Sequence, residues 1–150
     1  MPLILDSSVW ISGFLETQRA CQERIEQVQA GEIKIVLTSY IAAEVVRGLH
    51  RSAGRYNFDP LEREEFAWSV FHSPNVTRDF KEPYSLRLPY EMRSRIEYHL
   101  IAQLLGIEVK DAPIVTAAFE YQASILTKDA KLFEKRGKIE ELLNVKVELL

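Results

Sequence analysis

Residues 2–13 read PLILDSSVWISG. The run 2–5 is apolar and is broken at once by Asp6, Ser7 and Ser8. Apolar residues resume at Val9, Trp10, Ile11 and Phe14, at helical rather than alternating spacing. The stretch predicts a short buried strand whose carboxyl end delivers Asp6, followed by a helix capped by Ser7 or Ser8. In open parallel α/β sheets, ligands bind outside the carboxyl ends of strands. A carboxylate placed there is costly unless a cation or a set of hydrogen bonds compensates it.

The rest of the chain repeats this alternation. Residues 18–30 form a mostly polar helical pattern closed by Gly31. Residues 33–37 (IKIVL) form a β-branched second strand. Thr38 or Ser39 caps a helix over 40–50, with Ile41, Ala42, Val45, Val46 and Leu49 apolar and Glu44 among them. Residues 51–59 are expected as a polar, basic loop. Pro60 then opens a helix with Glu62, Glu64 and Glu65 in its first turns, where the macrodipole favours them. Residues 73–89 carry three prolines and weak periodicity, with a short third strand placed at 75–77. A helix over 90–105 is expected to bury Ile96, Leu100, Ile101, Leu104 and Leu105 on one side, and Gly106 stops it. Asp111 is an N-cap candidate for an almost wholly apolar, buried helix containing Ile114, Val115, Ala117, Ala118 and Phe119. Residues 124–127 form a strand that again leads to an acid, Asp129. Short helices at 130–134 and 139–143 and a closing strand at 145–149 complete the pattern. Strands alternating with helices imply one α/β domain over 1–150, a parallel sheet covered by helices.

Composition narrows the function. At 150 residues, 47% hydrophobic and 27% charged, the chain has the balance of a soluble globular domain. A net charge of −3 does not mark a nucleic-acid binder, so such a role needs a local patch or a bound cation. The single cysteine, Cys21, excludes an internal disulfide. With no basic leader and no membrane-length apolar run, the expected location is the cytoplasm.

The acids Asp6, Asp111 and Asp129 lie at strand ends or at the mouth of a helix, and Glu44 sits on an apolar helix face. In a parallel sheet all would gather at one edge and repel one another unless a cation intervened. Oxygen-only donors select Mg²⁺ or Mn²⁺, ions suited to polarising a phosphodiester and activating water. Each acid also has an ordinary structural explanation: Asp6 and Asp111 as helix caps, Asp129 as a turn acid, Glu44 as the ion-pair partner of Arg47. Ser7 and Thr127 serve equally as caps or as groups that orient a carboxylate.

Four blocks, LDSSVWI (5–11), AAEVVRGL (42–49), KDAPIVTAA (110–118) and ILTKDAKLF (125–133), resemble the PIN-domain family, in particular the small toxin endoribonucleases of toxin–antitoxin pairs. The resemblance implies a three-layer α/β/α fold around a parallel sheet of five strands. It also implies a Mg²⁺- or Mn²⁺-dependent endoribonuclease leaving a 5′-phosphate and a 3′-hydroxyl. The family's acids fall on Asp6, Glu44, Asp111 and Asp129, and its accessory hydroxyls on Ser7 and Thr127. Pro113 departs from the aliphatic residue more usual there. A homodimer and a small antitoxin partner are implied as well. Candidate RNA contacts are Arg47, Arg51, Lys110 and Lys128, with Arg55 and Lys131 nearby; Tyr40 and Trp10 are candidates to stack on bases, although aromatic residues beside apolar helix positions are more often core. The competing readings are a non-catalytic PIN-like module that binds RNA or protein, and a PIN nuclease of RNA processing. A phosphatase-type signature is disfavoured because Ser8 stands where its second Asp belongs, and no glycine-rich turn supports a dinucleotide fold.

Overall fold

The structure is a computed structural model that describes residues 1–79 and 95–150. Its centre is a five-stranded sheet: β1 (Leu3–Leu5), β2 (Ile35–Leu37), β3 (Val76–Arg78), β4 (Ser124–Thr127) and β5 (Val147–Leu149), in the order β3-β2-β1-β4-β5. Every pairing is parallel, with Leu3 opposite both Ile35 and Ser124. β2 and β4 are buried along their whole length, as apolar strands covered on both faces must be. The helices are α1 (Ser7–Phe14), α2 (Arg19–Gln29), α3 (Ser39–Ser52), α4 (Pro60–Phe71), α5 (Arg95–Leu105), α6 (Ala112–Tyr121), α7 (Ala130–Glu134) and α8 (Arg136–Leu143). This is the three-layer α/β/α arrangement expected from the sequence.

The chain builds outward from β1 to β2 and β3, then returns to lay β4 on the other flank of β1. The sheet therefore has its switch point between β1 and β4, the position at which open α/β sheets form a crevice at their carboxyl edge.

The core explains why α1 is held so firmly against the sheet. Trp10 stacks on Phe14 at 5.7 Å between ring centroids and meets Phe71 edge-on at 5.2 Å. Trp10 is fully buried, so its assignment as a base-stacking residue is withdrawn: it is core. α2 approaches α1 so closely that a Cβ on Gly13 would lie 2.9 Å from the Cys21 carbonyl oxygen.

Several boundaries differ from the sequence expectation. Of the two capping readings, that of Asp6 holds and that of Ser7 or Ser8 does not: the Asp6 side chain caps α1. α3 runs through residues expected in the 51–59 loop, and a 3₁₀ turn at Ala53–Tyr56 follows it. Thr38 caps α3 as expected, its Oγ1 accepting from the Ile41 N–H at 3.1 Å. Residues 90–94 of the expected fourth long helix lie outside the described residues. Within α5 the buried face is Tyr98, Ala102 and Leu105, whereas Leu100 and Leu104 are exposed. Phe119 of α6 is likewise exposed. Apolar spacing marked both helices correctly, but it did not say how they are rotated against their neighbours.

Asp111 gives the most consequential difference. It closes a 3₁₀ turn, Val109–Asp111, that runs directly into α6, and its backbone is already helical at φ −89° and ψ −15°. Asp111 stands at the N-cap position of α6 as expected, but its side chain makes no cap hydrogen bond.

Candidate active site

The four acids named from the sequence line one cleft of about 330 Å³: Asp6, Glu44, Asp111 and Asp129, with Lys110 and Lys128 at its wall. Each arrives from a different element. Asp6 follows β1, Glu44 rides on α3, Asp111 precedes α6 and Asp129 follows β4.

Asp6 is the best-anchored member. Its Oδ1 accepts from the Ser7 backbone N–H at 2.8 Å, and its Oδ2 accepts from the Thr127 hydroxyl at 2.8 Å. Ser7 thus orients the carboxylate through its main chain. The Thr127 hydroxyl oxygen in turn accepts from the Asp129 N–H at 2.9 Å, which ties the turn after β4 to the end of β1. Burial raises the Asp6 pKa above the ordinary carboxylate value; the two hydrogen bonds oppose this, and Glu44 and Asp129 add to it.

Asp129 caps α7, its Oδ1 accepting from the Lys131 N–H at 2.9 Å. Glu44 is half-buried, and among the described residues no ion pair joins it to Arg47. α3 is fixed at its start by a residue absent from the sequence argument: Asp79, just after β3, accepts from the Ser39 N–H at 3.0 Å. The signal was a third strand ending near an acid, obscured by the weak periodicity around it.

Asp111 is 6% exposed, and among the described residues no hydrogen-bond donor meets its carboxylate. Its pKa is pushed up to about 7, first by burial and then by Asp6, with Lys110 pulling the other way and Asp129 and Glu108 adding to the rise. Such a group is the clearest sign of missing positive charge. Among the described residues, no group of three or more His, Cys, Asp or Glu side chains is arranged so that it could hold a metal ion. The donor set nevertheless fits a hard divalent cation: carboxylates only, gathered in one cleft, one of them buried and uncompensated.

The cations hold different stations. The Lys128 Nζ donates to the Ser12 hydroxyl at 2.6 Å, a bond from the β4 end across to α1. Lys110 pairs with Glu108 at 3.5 Å. Arg47 and Arg51 line an adjoining hollow with Ser7, Ile11 and Glu44. Arg55 lies in the 3₁₀ turn beyond α3, and Tyr40 packs partly buried against the core. One further group escaped the sequence reading: the Ser8 hydroxyl is buried without a partner among the described residues, and Ser8 lines the cleft. The pair of hydroxyl residues after Asp6 was its only signal.

Fold and site together define a class: a parallel α/β domain with carboxylates converging at the sheet's switch point. The PIN domain family model matches residues 3–139, and the chain belongs to that family. The fold is shared with a solved structure described as VapBC2 from Rickettsia felis bound to a DNA fragment from their promoter. That match is 14% identical, has a TM-score of 0.63, and covers 100% of this chain and 99% of the other. No curated protein sequence matches the chain significantly. No helix among the described residues is long and apolar enough to cross a membrane.

Proposed function

We propose that the protein is a divalent-metal-dependent endoribonuclease, the toxin of a toxin–antitoxin pair, with Asp6, Glu44, Asp111 and Asp129 as its catalytic acids. The observation that carries this reading is Asp111, buried beside Asp6 with no donor among the described residues, in a cleft that also receives Glu44 and Asp129. A bound Mg²⁺ or Mn²⁺ supplies the Lewis acidity that activates a phosphodiester and lowers the pKa of water. Asp6, Asp111 and Asp129 would hold the ion. Thr127 keeps Asp6 oriented through its hydroxyl. Glu44, half-buried at the α3 wall, would orient the attacking water and take its proton. Lys110 and Lys128, at the cleft wall, would meet phosphate oxygens. Water adds at phosphorus and the P–O3′ bond breaks, leaving a 5′-phosphate and, after protonation, a 3′-hydroxyl.

The family membership supports a nuclease, and the complex named for the structural neighbour supports an antitoxin partner for this chain. A homodimer working in the cytoplasm completes the proposal. The test is incubation of single-stranded and structured RNAs with Mg²⁺, with Mn²⁺ and with chelator, beside Asp6→Asn. Cleavage that needs metal and Asp6 is expected. Identical RNA patterns in every lane across several substrates would instead indicate a module that binds without cutting.

A further inference from the structure

The acidic cleft adjoins two further hollows, and the two differ in charge. Toward α3, a space of about 480 Å³ shares Ser7 and Glu44 with the cleft and is otherwise lined by Ile11, Arg47 and Arg51. Glu44, Arg47 and Arg51 follow one another at helical spacing, so they project from one face of α3. Arg47 and Arg51 are exposed, and among the described residues neither has an ion-pair partner. Next to Asp111, a second space of about 420 Å³ shares that acid with the cleft, and its remaining charges are Glu108, Lys131, Glu134 and Lys135. Once the shared acids are assigned to the cleft, the α3 hollow holds two guanidiniums and no acid. The other holds two ammoniums and two carboxylates, and its Glu108 already engages Lys110.

We infer that the RNA strand is gripped on one side of the cut only: Arg47 and Arg51 hold the phosphate that flanks the scissile bond on the α3 side, and the other flank leaves without a net cationic contact. The inference rests on the nuclease reading of the cleft and deepens it. Guanidiniums suit this role because their planar donors meet phosphate oxygens in pairs. Ile11 gives the same hollow an apolar wall for the sugar that accompanies the phosphate. A phosphate entering the second hollow meets two carboxylates, Glu108 and Glu134, as well as the two lysines, so attraction and repulsion there offset one another.

The experiment measures binding of a labelled single-stranded A12 RNA to the Asp6→Asn protein as salt is varied, with two double variants added in turn. R47Q/R51Q is expected to weaken binding about tenfold and to flatten the salt slope by roughly 1.4, about 0.7 for each lost phosphate contact on a single strand. K131Q/K135Q is expected to change affinity less than about twofold. In a second arm, an RNA cut by the wild-type protein is shortened from each end. Trimming one flank should slow cleavage, and R47Q/R51Q should erase that dependence. Equal effects of the two double variants, a larger effect of the lysine pair, or equal dependence on both flanks would overturn the one-sided grip. Failure of the parent protein to bind A12 would overturn it too. A cut RNA with symmetric flanks removes the one-sided grip alone, whereas RNA bound through the arginines but cut under no metal condition removes the nuclease reading, and with it the register of the grip, leaving only an arginine contact with RNA.

Discussion

At Asp111 a carboxyl group is buried beside another acid, and no donor among the described residues satisfies it. Asp111→Asn removes the buried charge and costs no cap hydrogen bond, because none is made. Its expected outcome is a metal-free protein that melts several degrees higher than wild type at pH 8, loses its Mg²⁺-induced shift and no longer cleaves RNA. Thermal melts with and without Mg²⁺ measure this, and an undiminished Mg²⁺ shift would take Asp111 out of the ion's shell. Thr127 is the complementary case. Its hydroxyl serves Asp6 and Asp129 N–H at once, so Thr127→Val leaves two polar groups short of a partner. A loss of about 1–3 kcal/mol is expected, or roughly 2–4 °C per kcal/mol for a domain of this size. Thr127→Ser should restore most of it, since the oxygen is what matters. A valine variant as stable and active as wild type would refute that account.

Among elements, α1 bears the site on its first turn and the aromatic core on its last, so its placement against α2 matters to both. The close passage at Gly13 sets that placement. An added Cβ there would crowd Ile25, whose side chain can yield, and the Cys21 carbonyl, which is backbone and cannot. Gly13→Ala is therefore expected to destabilise by about 1–3 kcal/mol despite alanine's better helix propensity. Chemical denaturation would read this directly, and an alanine variant equal to wild type would mean that α2 moves aside freely. α5 and α6 carry the opposite lesson. Their periodicity gave their existence, and Gly106 at φ +69° stops α5 where expected. Leu100, Leu104 and Phe119 nevertheless face outward, because rotation about a helix axis is set by what packs against it.

Over the whole molecule, the gathered acids couple stability to pH. Asp111 titrates near 7 in the folded protein, above its ordinary value of 3.8. Below about pH 4 it is protonated whether folded or unfolded, and folding carries no penalty from it. As pH rises toward 7 the unfolded chain ionises first, so stability is lost across that window, by about 4 kcal/mol at most at 1.36 kcal/mol per pH unit. Metal-free protein should accordingly melt lower at pH 7 than at pH 5. Mg²⁺ should raise the melting temperature more at pH 8 than at pH 5, because a protonated acid is a poor ligand. Melts across pH with and without the ion check both, and a metal-free protein that gains stability from pH 5 to 7 would contradict the first.

Apolar runs, helical spacing and the breaks between them lie within a few residues of one another, so the amino-acid order alone settled the alternation of strands and helices. It also settled the acids at the strand ends and the starts of α3 and α4. It could not settle which strands are neighbours: Asp6 and Thr127 meet only because β4 returns to the free flank of β1. Nor could it tell that Asp111 stands at the N-cap of α6 without making a side-chain cap bond, or that, among the described residues, Arg47 makes no ion pair with Glu44 although both line one hollow. Those outcomes depend on contacts between distant segments, where burial and charge are decided by the partner that packing supplies and not by the adjacent residue.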